Sequence, residues 1–405
     1  MTSLPNDSAV SIAATTSQTL HPHMSITLND IDDISQTPSI PPSSHAPSSA
    51  IVGFAGESAD ADAALQAEGE IEAEPGSDTQ SYSDGESGYG SDFGGTSSIS
   101  LSSSVRDFAF ENGRRYHRFR EGSYNFPNDD SEQEYVSRED MKHAMMVNLC
   151  QRLHFAPIDT GVQNILDIGT GTGIWAIEMG DLYPGSTILG VDLSPIQPEW
   201  VPPNVRFMVD DVESPWLRPL DHFDYIHARH TVMAIRDWPK LMGRALEHLK
   251  PGGWFELQEI HHYPYCHDGS MPENHPVTEY WSLVIQALAV LGVDFNATLL
   301  LAGMMRDAGF VNVTTRIFHV PIGTWPKNKV LKMVGLYWRT ILEIGLQPIA
   351  IGPLTRGLGW SREQVEVWLM EVRKAYKDKW VHSHMPLHII CGQKPGPGVI
   401  ERYNS

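Results

Sequence analysis

Asn164-Ile-Leu-Asp-Ile-Gly-Thr-Gly-Thr-Gly-Ile-Trp-Ala-Ile-Glu178 reads as strand, turn and helix in immediate succession. The apolar run Ile165-Leu166-Asp167-Ile168 suits a buried parallel strand, and a helix is predicted from Ile174 to about Leu182. Between them stand Gly169, Gly171 and Gly173, where the missing Cβ atoms let backbone approach a ligand at a helix N-terminus. A dinucleotide fingerprint needs its third glycine one place later and a pyrophosphate to fill the helix end. Here Asp167 sits at the strand end, where its carboxylate repels phosphate and attracts an ammonium group, directly or through water. The loop therefore reads as a site for S-adenosylmethionine, with Gly169, Thr170, Gly171 and Gly173 as its backbone cradle.

Two further strand ends carry acids in the order such a ligand needs. Thr187-Ile-Leu-Gly-Val-Asp192 is a second apolar strand, and Asp192 stands where an acid bonds ribose hydroxyls, with Leu193 beside it. Asn204-Val-Arg-Phe-Met-Val209 is a third, closed by Asp210-Asp211. One of that pair, Asp211 before Asp210, is placed to accept from the adenine amino group, with the Val212 N–H next to it. The plain alternative is that these acids only cap turns, which Asp favours.

With these residues in hand, the region from Phe108 to Pro395 resembles the class I S-adenosylmethionine-dependent methyltransferases, and among them the fungal LaeA-like (TAM-domain, VipC/VapB-like) group. The resemblance is carried by Glu111-Asn-Gly-Arg-Arg-Tyr-His-Arg-Phe-Arg-Glu-Gly-Ser-Tyr124, Pro127-Asn-Asp129, Leu166–Trp175, Asp192-Leu-Ser-Pro-Ile-Gln-Pro198 and Leu249-Lys-Pro-Gly-Gly-Trp254. It implies an α/β, Rossmann-like class I fold with a seven-stranded, mostly parallel sheet and helices on both faces. It also implies a role in fungal secondary metabolism or its regulation, velvet-type regulatory proteins as partners, and residence in nucleus as well as cytoplasm.

Charge divides the chain unevenly. Residues 1–105 hold 15 acids and no Lys or Arg, whereas the other 300 residues hold 35 acids against 29 basic residues. Rich in Ser, Gly, Pro and Thr, this acidic tail is expected to be disordered, because it has too little apolar surface to offset its ordering entropy. Such acidity disfavours direct contact with nucleic acid or an anionic membrane. Ser83-Asp-Gly-Glu-Ser87 has the form of an acidic phosphorylation site. No secretory leader is read at the start, the most apolar run (residues 283–293) is too short to span a bilayer, and three scattered cysteines fit a reducing, intracellular compartment.

Residues 106–160 form an aromatic and arginine-rich segment followed by a covering helix, in which Met141, Met145 and Leu149 recur every fourth residue. The aromatic part either folds over the front of the cofactor site, with Tyr116 and Tyr124 as walls, or simply packs on the domain. The methyltransferase domain is expected over 161–398, with a helical lid inserted at about 323–385 whose Trp325, Tyr337, Trp338 and Trp360 either line an acceptor pocket or belong to the core. Phe223-Asp-Tyr-Ile-His227 reads as a fourth strand, and its carboxyl end, His227-Ala-Arg-His-Thr231, opens beside the ligand. His227 and His230 are the candidate general bases; a purely structural role at the strand end is the competing reading. His261-His-Tyr-Pro-Tyr-Cys-His267 fits no standard zinc spacing, so no metal is expected. The acceptor, a small molecule or a protein, is not specified by any motif. Two readings stand: a catalytic methyltransferase, or a regulatory module that binds S-adenosylmethionine with little turnover beyond itself.

Overall fold

Apolar runs bounded by glycine, proline and acids set the strands, and helical runs between them force parallel crossovers. The structure, a computed structural model, describes residues 59–74, 108–111, 114–117 and 132–396, all within one unit, Phe54–Ser405. In chain order the elements begin with α1 (Ala59–Glu68), a hairpin of β1 (Phe108–Glu111) and β2 (Arg114–His117), and α2 (Glu132–Cys150). The sheet is then laid down by β3 (Asn164–Ile168), α3 (Ile174–Leu182), β4 (Thr187–Asp192), β5 (Val205–Val209), β6 (Phe223–Arg229), α4 (Trp238–His248) and β7 (Leu249–Ile260). It is completed by β8 (Tyr265–Cys266), α5 (Pro276–Val290), α6 (Leu301–Asp307), β9 (Val311–Pro321), α7 (Lys329–Leu358), α8 (Arg362–Tyr376) and β10 (Ser383–Gln393).

The strand order is β5-β4-β3-β6-β7-β10-β8, with β9 also paired to β10. From β5 to β7 every pairing is parallel, and β10 runs antiparallel to β7, β8 and β9. Eight strands thus stand where seven were expected, because the loop after β7 returns to give β10 the two-residue partner β8. The order reverses between β3 and β6, which leaves a crevice beyond their carboxyl ends. Burial on both faces explains why apolar residues dominate β3 and the middle of β6, interrupted by Asp167 and His227.

Helix α4 is amphipathic: it buries Trp238, Leu241, Met242 and Ala245 and is capped by the Asp237 carboxylate accepting from Lys240 N. The interval 323–385, expected to be a lid, holds α7 and α8, which pack with α5, and α7 also packs with α2. Helix α7 runs 30 residues through Pro348 and Pro353, since fourteen of its residues, both small and large, are buried and tertiary packing outweighs the two missing N–H donors. Of the four aromatics in and around it, Trp338 is core at 2% exposed, while Tyr337, Trp325 and Trp360 are partly buried; Trp325 Nε1 donates to Ser383 O, and Trp360 packs edge-on against Trp368.

The acidic tail needs a correction. Residues 59–74 fold onto the domain: α1 buries Ala63 and Ala67 completely against β9, α2 and α7. Behind it Glu74 N donates to Trp325 O, Lys327 N donates to Glu72 O, and Gly69 O bonds His319 Nδ1 at 2.8 Å. Glu68, Glu72 and Glu74 meet Arg316, Lys327 and Lys332. Composition averaged over the tail hides this local pattern, in which two alanines supply a small apolar face and the acids find a basic row supplied by distant sequence. The remaining tail residues, including 83–87, lie outside the described residues, as does Tyr124.

Replacing Ala67 with Asp should cost about 2–4 kcal/mol, since it places a charge where the native site is dry. Urea unfolding of the full chain measures this; an unchanged midpoint would show that α1 does not contribute to the fold.

Candidate active site

The turn from β3 into α3 takes the left-handed backbone region three times, with φ of 66° at Gly169, 57° at Gly171 and 82° at Gly173. Glycine reaches that region without steric cost. A Cβ at Gly169 would meet Thr231 Cγ2 at 2.7 Å, and one at Gly173 would run into the Phe207 ring. At Gly171 a Cβ would meet nothing within 4 Å. The outer two glycines are therefore packing requirements, and the middle one faces open space.

Side chains beyond β4 hold this turn from behind. The Asp192 carboxylate accepts from Gly171 N and Ser194 N, each at 2.9 Å. Gln197 Nε2 donates to Gly171 O at 2.7 Å and Ser194 O at 2.9 Å. Gln197 was not singled out by sequence, although it lies in the Ser-Pro-Ile-Gln-Pro run that carries the family resemblance. Burial pushes the Asp192 carboxyl up to about 6 against the opposing pull of those two N–H donors.

The turn forms one wall of a cleft that holds about 380 Å3 of space, its open mouth included. Of the residues expected in the site, Asp167, Gly169, Thr170, Gly171, His227 and His230 line it. Gly173 and Asp192 support the loop rather than the wall. Leu193, Asp210, Asp211 and Val212 lie at the ends of β4 and β5, outside the lining. There Asp210 Oδ1 accepts from Asp211 N, and Asp211 accepts from Glu213 N and the Ser214 hydroxyl, the turn-capping arrangement that was the alternative reading. Tyr116 stands in β2 opposite Ala109; its side chain lies outside the described residues.

Asp167 and His227 are opposite one another on the parallel neighbours β3 and β6. Asp167 Oδ1 lies 2.7 Å from His227 Nδ1, and Oδ2 accepts from the Thr170 hydroxyl at 2.6 Å. Thr170 Oγ1 fits because Gly190, opposite Asp167 on β4, has no Cβ to fill that space. The His227 ring stacks on Trp175, centroids 3.7 Å apart and planes 8° from parallel. Its Nε2 is buried without a partner among the described residues.

Three charged groups were missed by sequence reasoning. Glu139 and Lys142 of α2 line the cleft and pair at 2.6 Å, and burial lowers the Lys142 ammonium from its ordinary range. Arg229 follows His227 by two residues on β6, so period-two alternation puts both on one face, and it donates to His143 Nδ1 at 3.0 Å. His230 holds a left-handed φ of 56°, and its Nε2 also lacks a partner among the described residues. Burial, with Lys142 and Arg229 nearby, keeps its imidazole neutral far below the usual range. Next to it Thr231 donates through N and Oγ1 to Glu259, whose carboxyl burial pushes up to about 7. The histidine-rich loop is spent on packing: His261 bonds Asn296, and His262 stacks on Phe295.

These residues suit S-adenosylmethionine on structural grounds. Gly171 leaves open space over the loop, acids stand on either side, and Lys142 and Arg229 offer cations to a carboxylate.

Comparison with known proteins gives a match to a methyltransferase domain over residues 138–315. The chain is 40% identical over 302 residues to the methyltransferase pytC of Aspergillus terreus, covering 74% of this chain and 92% of that one. It is 35% identical to the secondary metabolism regulator LAE1 of Cochliobolus heterostrophus, covering 70% and 94% of the two chains. It is 32% identical to the protein-methionine methyltransferase laeA of Emericella nidulans, covering 73% and 79%. Among solved structures, the phosphoethanolamine N-methyltransferase 2 of Haemonchus contortus with S-adenosyl-L-methionine superposes with a TM-score of 0.36 at 19% identity, and this chain spans 52% of its length.

Gly171→Ala should fold with a penalty of about 1 kcal/mol from its left-handed φ, yet lose affinity for S-adenosylhomocysteine. Gly173→Ala should lower the melting temperature more, because Phe207 occupies the needed space. Equal destabilisation by both would contradict the division of roles.

Proposed function

The chain belongs to the fungal LaeA-like S-adenosylmethionine-dependent methyltransferases, and we propose that the cleft at the β3/β6 switch point is where it transfers the methyl group to an acceptor. The observation carrying this reading is the turn at Gly171, a pre-formed backbone cradle facing open space. The cofactor supplies a methyl on a sulfonium whose leaving group is a neutral thioether. The chain's part is to bind, align and exclude water. Backbone from Gly169 to Gly171 would cradle the methionine portion, with Gly173 and Thr170 fixing the loop. Asp192, with Leu193 next to it, would take the ribose hydroxyls. Asp210 or Asp211, with Val212 N, would take the adenine, and Tyr116 would cover the cleft from the hairpin. His227 and His230, whose Nε2 atoms are buried and unpartnered among the described residues, would face the acceptor.

The names of the relatives support a role in fungal secondary metabolism or its control. They also favour a second reading, a regulatory module with little turnover beyond itself, since one relative is named a regulator and another a protein-methionine methyltransferase; the velvet-type partners implied by the resemblance would belong to that reading. No helix among the described residues is long and apolar enough to cross a membrane.

Incubation with methyl-labelled S-adenosylmethionine, with and without extract of the source organism, separates the readings. Label passing to extract components supports the enzyme; label confined to the chain itself supports the regulator. Calorimetry with S-adenosylhomocysteine tests the cradle. Because the ribose hydroxyls donate to ionised Asp192, affinity should fall as pH drops through about 6, and Asp192→Asn should flatten that dependence. A flat profile in the parent protein would place the ribose elsewhere.

A further inference from the structure

The Asp167 carboxylate has both oxygens engaged inside the protein, one by His227 Nδ1 and one by the Thr170 hydroxyl. A carboxylate only accepts, so His227 Nδ1 carries a hydrogen, and in the neutral ring the lone pair lies on Nε2. Strand pairing fixes the two residues opposite one another, and the flat stack on Trp175 fixes the plane of the ring. That leaves Nε2 buried and without a partner among the described residues, on a ring that lines the cleft.

We propose that Asp167 is the positioning partner of His227, and that the pair is the general base for a hydroxyl acceptor, an alcohol, enol or phenol. The inference rests on the methyl-transfer reading of the cleft. A carboxylate acceptor is already ionised and needs no base. An amine is cationic near neutral pH and would share the cleft with Lys142 and Arg229. A hydroxyl is neutral on entry and must lose a proton as its oxygen attacks, which is the task an unprotonated Nε2 performs. In the step, the hydroxyl proton passes to His227 Nε2 while an oxygen lone pair forms the new C–O bond to the methyl carbon. The C–S bond breaks with its electron pair going to sulfur, and Asp167 holds the imidazolium through Nδ1–H. His230 has no carboxylate partner and two cations beside it, so it accepts a hydrogen bond without retaining the proton.

The test uses the full chain. Asp167→Asn turns an amide N–H toward His227 Nδ1 and so forces the hydrogen onto Nε2, the wrong tautomer for a base. Nitrogen-15 imidazole spectra should show hydrogen on Nδ1 of His227 in the parent and on Nε2 in the variant. S-adenosylhomocysteine affinity should stay within about tenfold of the parent's, while label transfer to extract falls by about a hundredfold or more. His227→Gln should give the same split, which keeps the test alive if Asp167→Asn does not fold. The transferred label should be a base-stable methyl ether, in the solvent-extractable fraction for a small molecule and in the precipitate for a protein hydroxyl. Hydrogen on Nε2 in the parent, parental transfer rates in Asp167→Asn, or label found as a base-labile ester, an N-methyl or a sulfonium would each overturn the proposal. Lost S-adenosylhomocysteine binding with an unchanged tautomer in Asp167→Asn would make Asp167 a cofactor ligand instead. Failure of the parent to bind S-adenosylhomocysteine would overturn the methyl-transfer reading itself.

Discussion

Everything at the site depends on keeping three left-handed residues within five positions between β3 and α3. Such a turn has little intrinsic preference for one shape, because glycine loses more backbone entropy on ordering than any other residue. It is held instead by hydrogen bonds from outside: Asp192 on the Gly171 N–H, Gln197 on its carbonyl, and Val191 O accepting from both Gly169 N and Thr170 N. The cradle thus exists before any ligand arrives, and its ordering cost is met during folding rather than on binding.

Polar groups inside the sheet follow one rule. A buried carboxylate is retained only where donors saturate it. Glu256, fully buried on β7, accepts from Phe155 N, Ala156 N, the Tyr225 hydroxyl and Gln258 Nε2. Those bonds tie the loop after α2 to the sheet, and α2 carries Glu139 and Lys142 into the cleft. Glu259 does the same for the turn after β6, pinning Thr231 and Val232 immediately beyond His230. Asp167 completes a row in which Gly190, Asp167, His227 and Glu256 stand at matching register on four adjacent strands. In that row one missing side chain, at Gly190, creates the room that Thr170 needs.

The helical layer shows how aromatic residues divide between packing and function. Trp281, Trp338 and Tyr280 are almost completely buried among α5, α7 and α8, whereas Trp175 packs against a cleft histidine. All four are almost completely buried, and Trp175 differs only in the ring it stacks on, the cleft-lining His227. Helix α1 makes a related point, since an acidic segment becomes ordered once β9 and α7 present a groove for two alanines and a row of cations.

What the amino-acid sequence determined was the parallel sheet, the glycine turn, the order of acids at strand ends and the amphipathic α4, because each is a local pattern of period, spacing and turn chemistry. It also placed His227 and His230 beside the crevice, since a strand end at a switch point needs only connectivity. Tertiary structure alone decided that Asp167 meets His227. It likewise decided that Gln197 clasps Gly171, that Lys142 and Arg229 enter the cleft, and that residues 59–74 belong to the fold. Those facts depend on register between strands and on partners up to about 258 residues apart, such as Glu74 and Lys332. No local periodicity encodes such pairings, because the free energy that selects them appears only when separate elements are packed together.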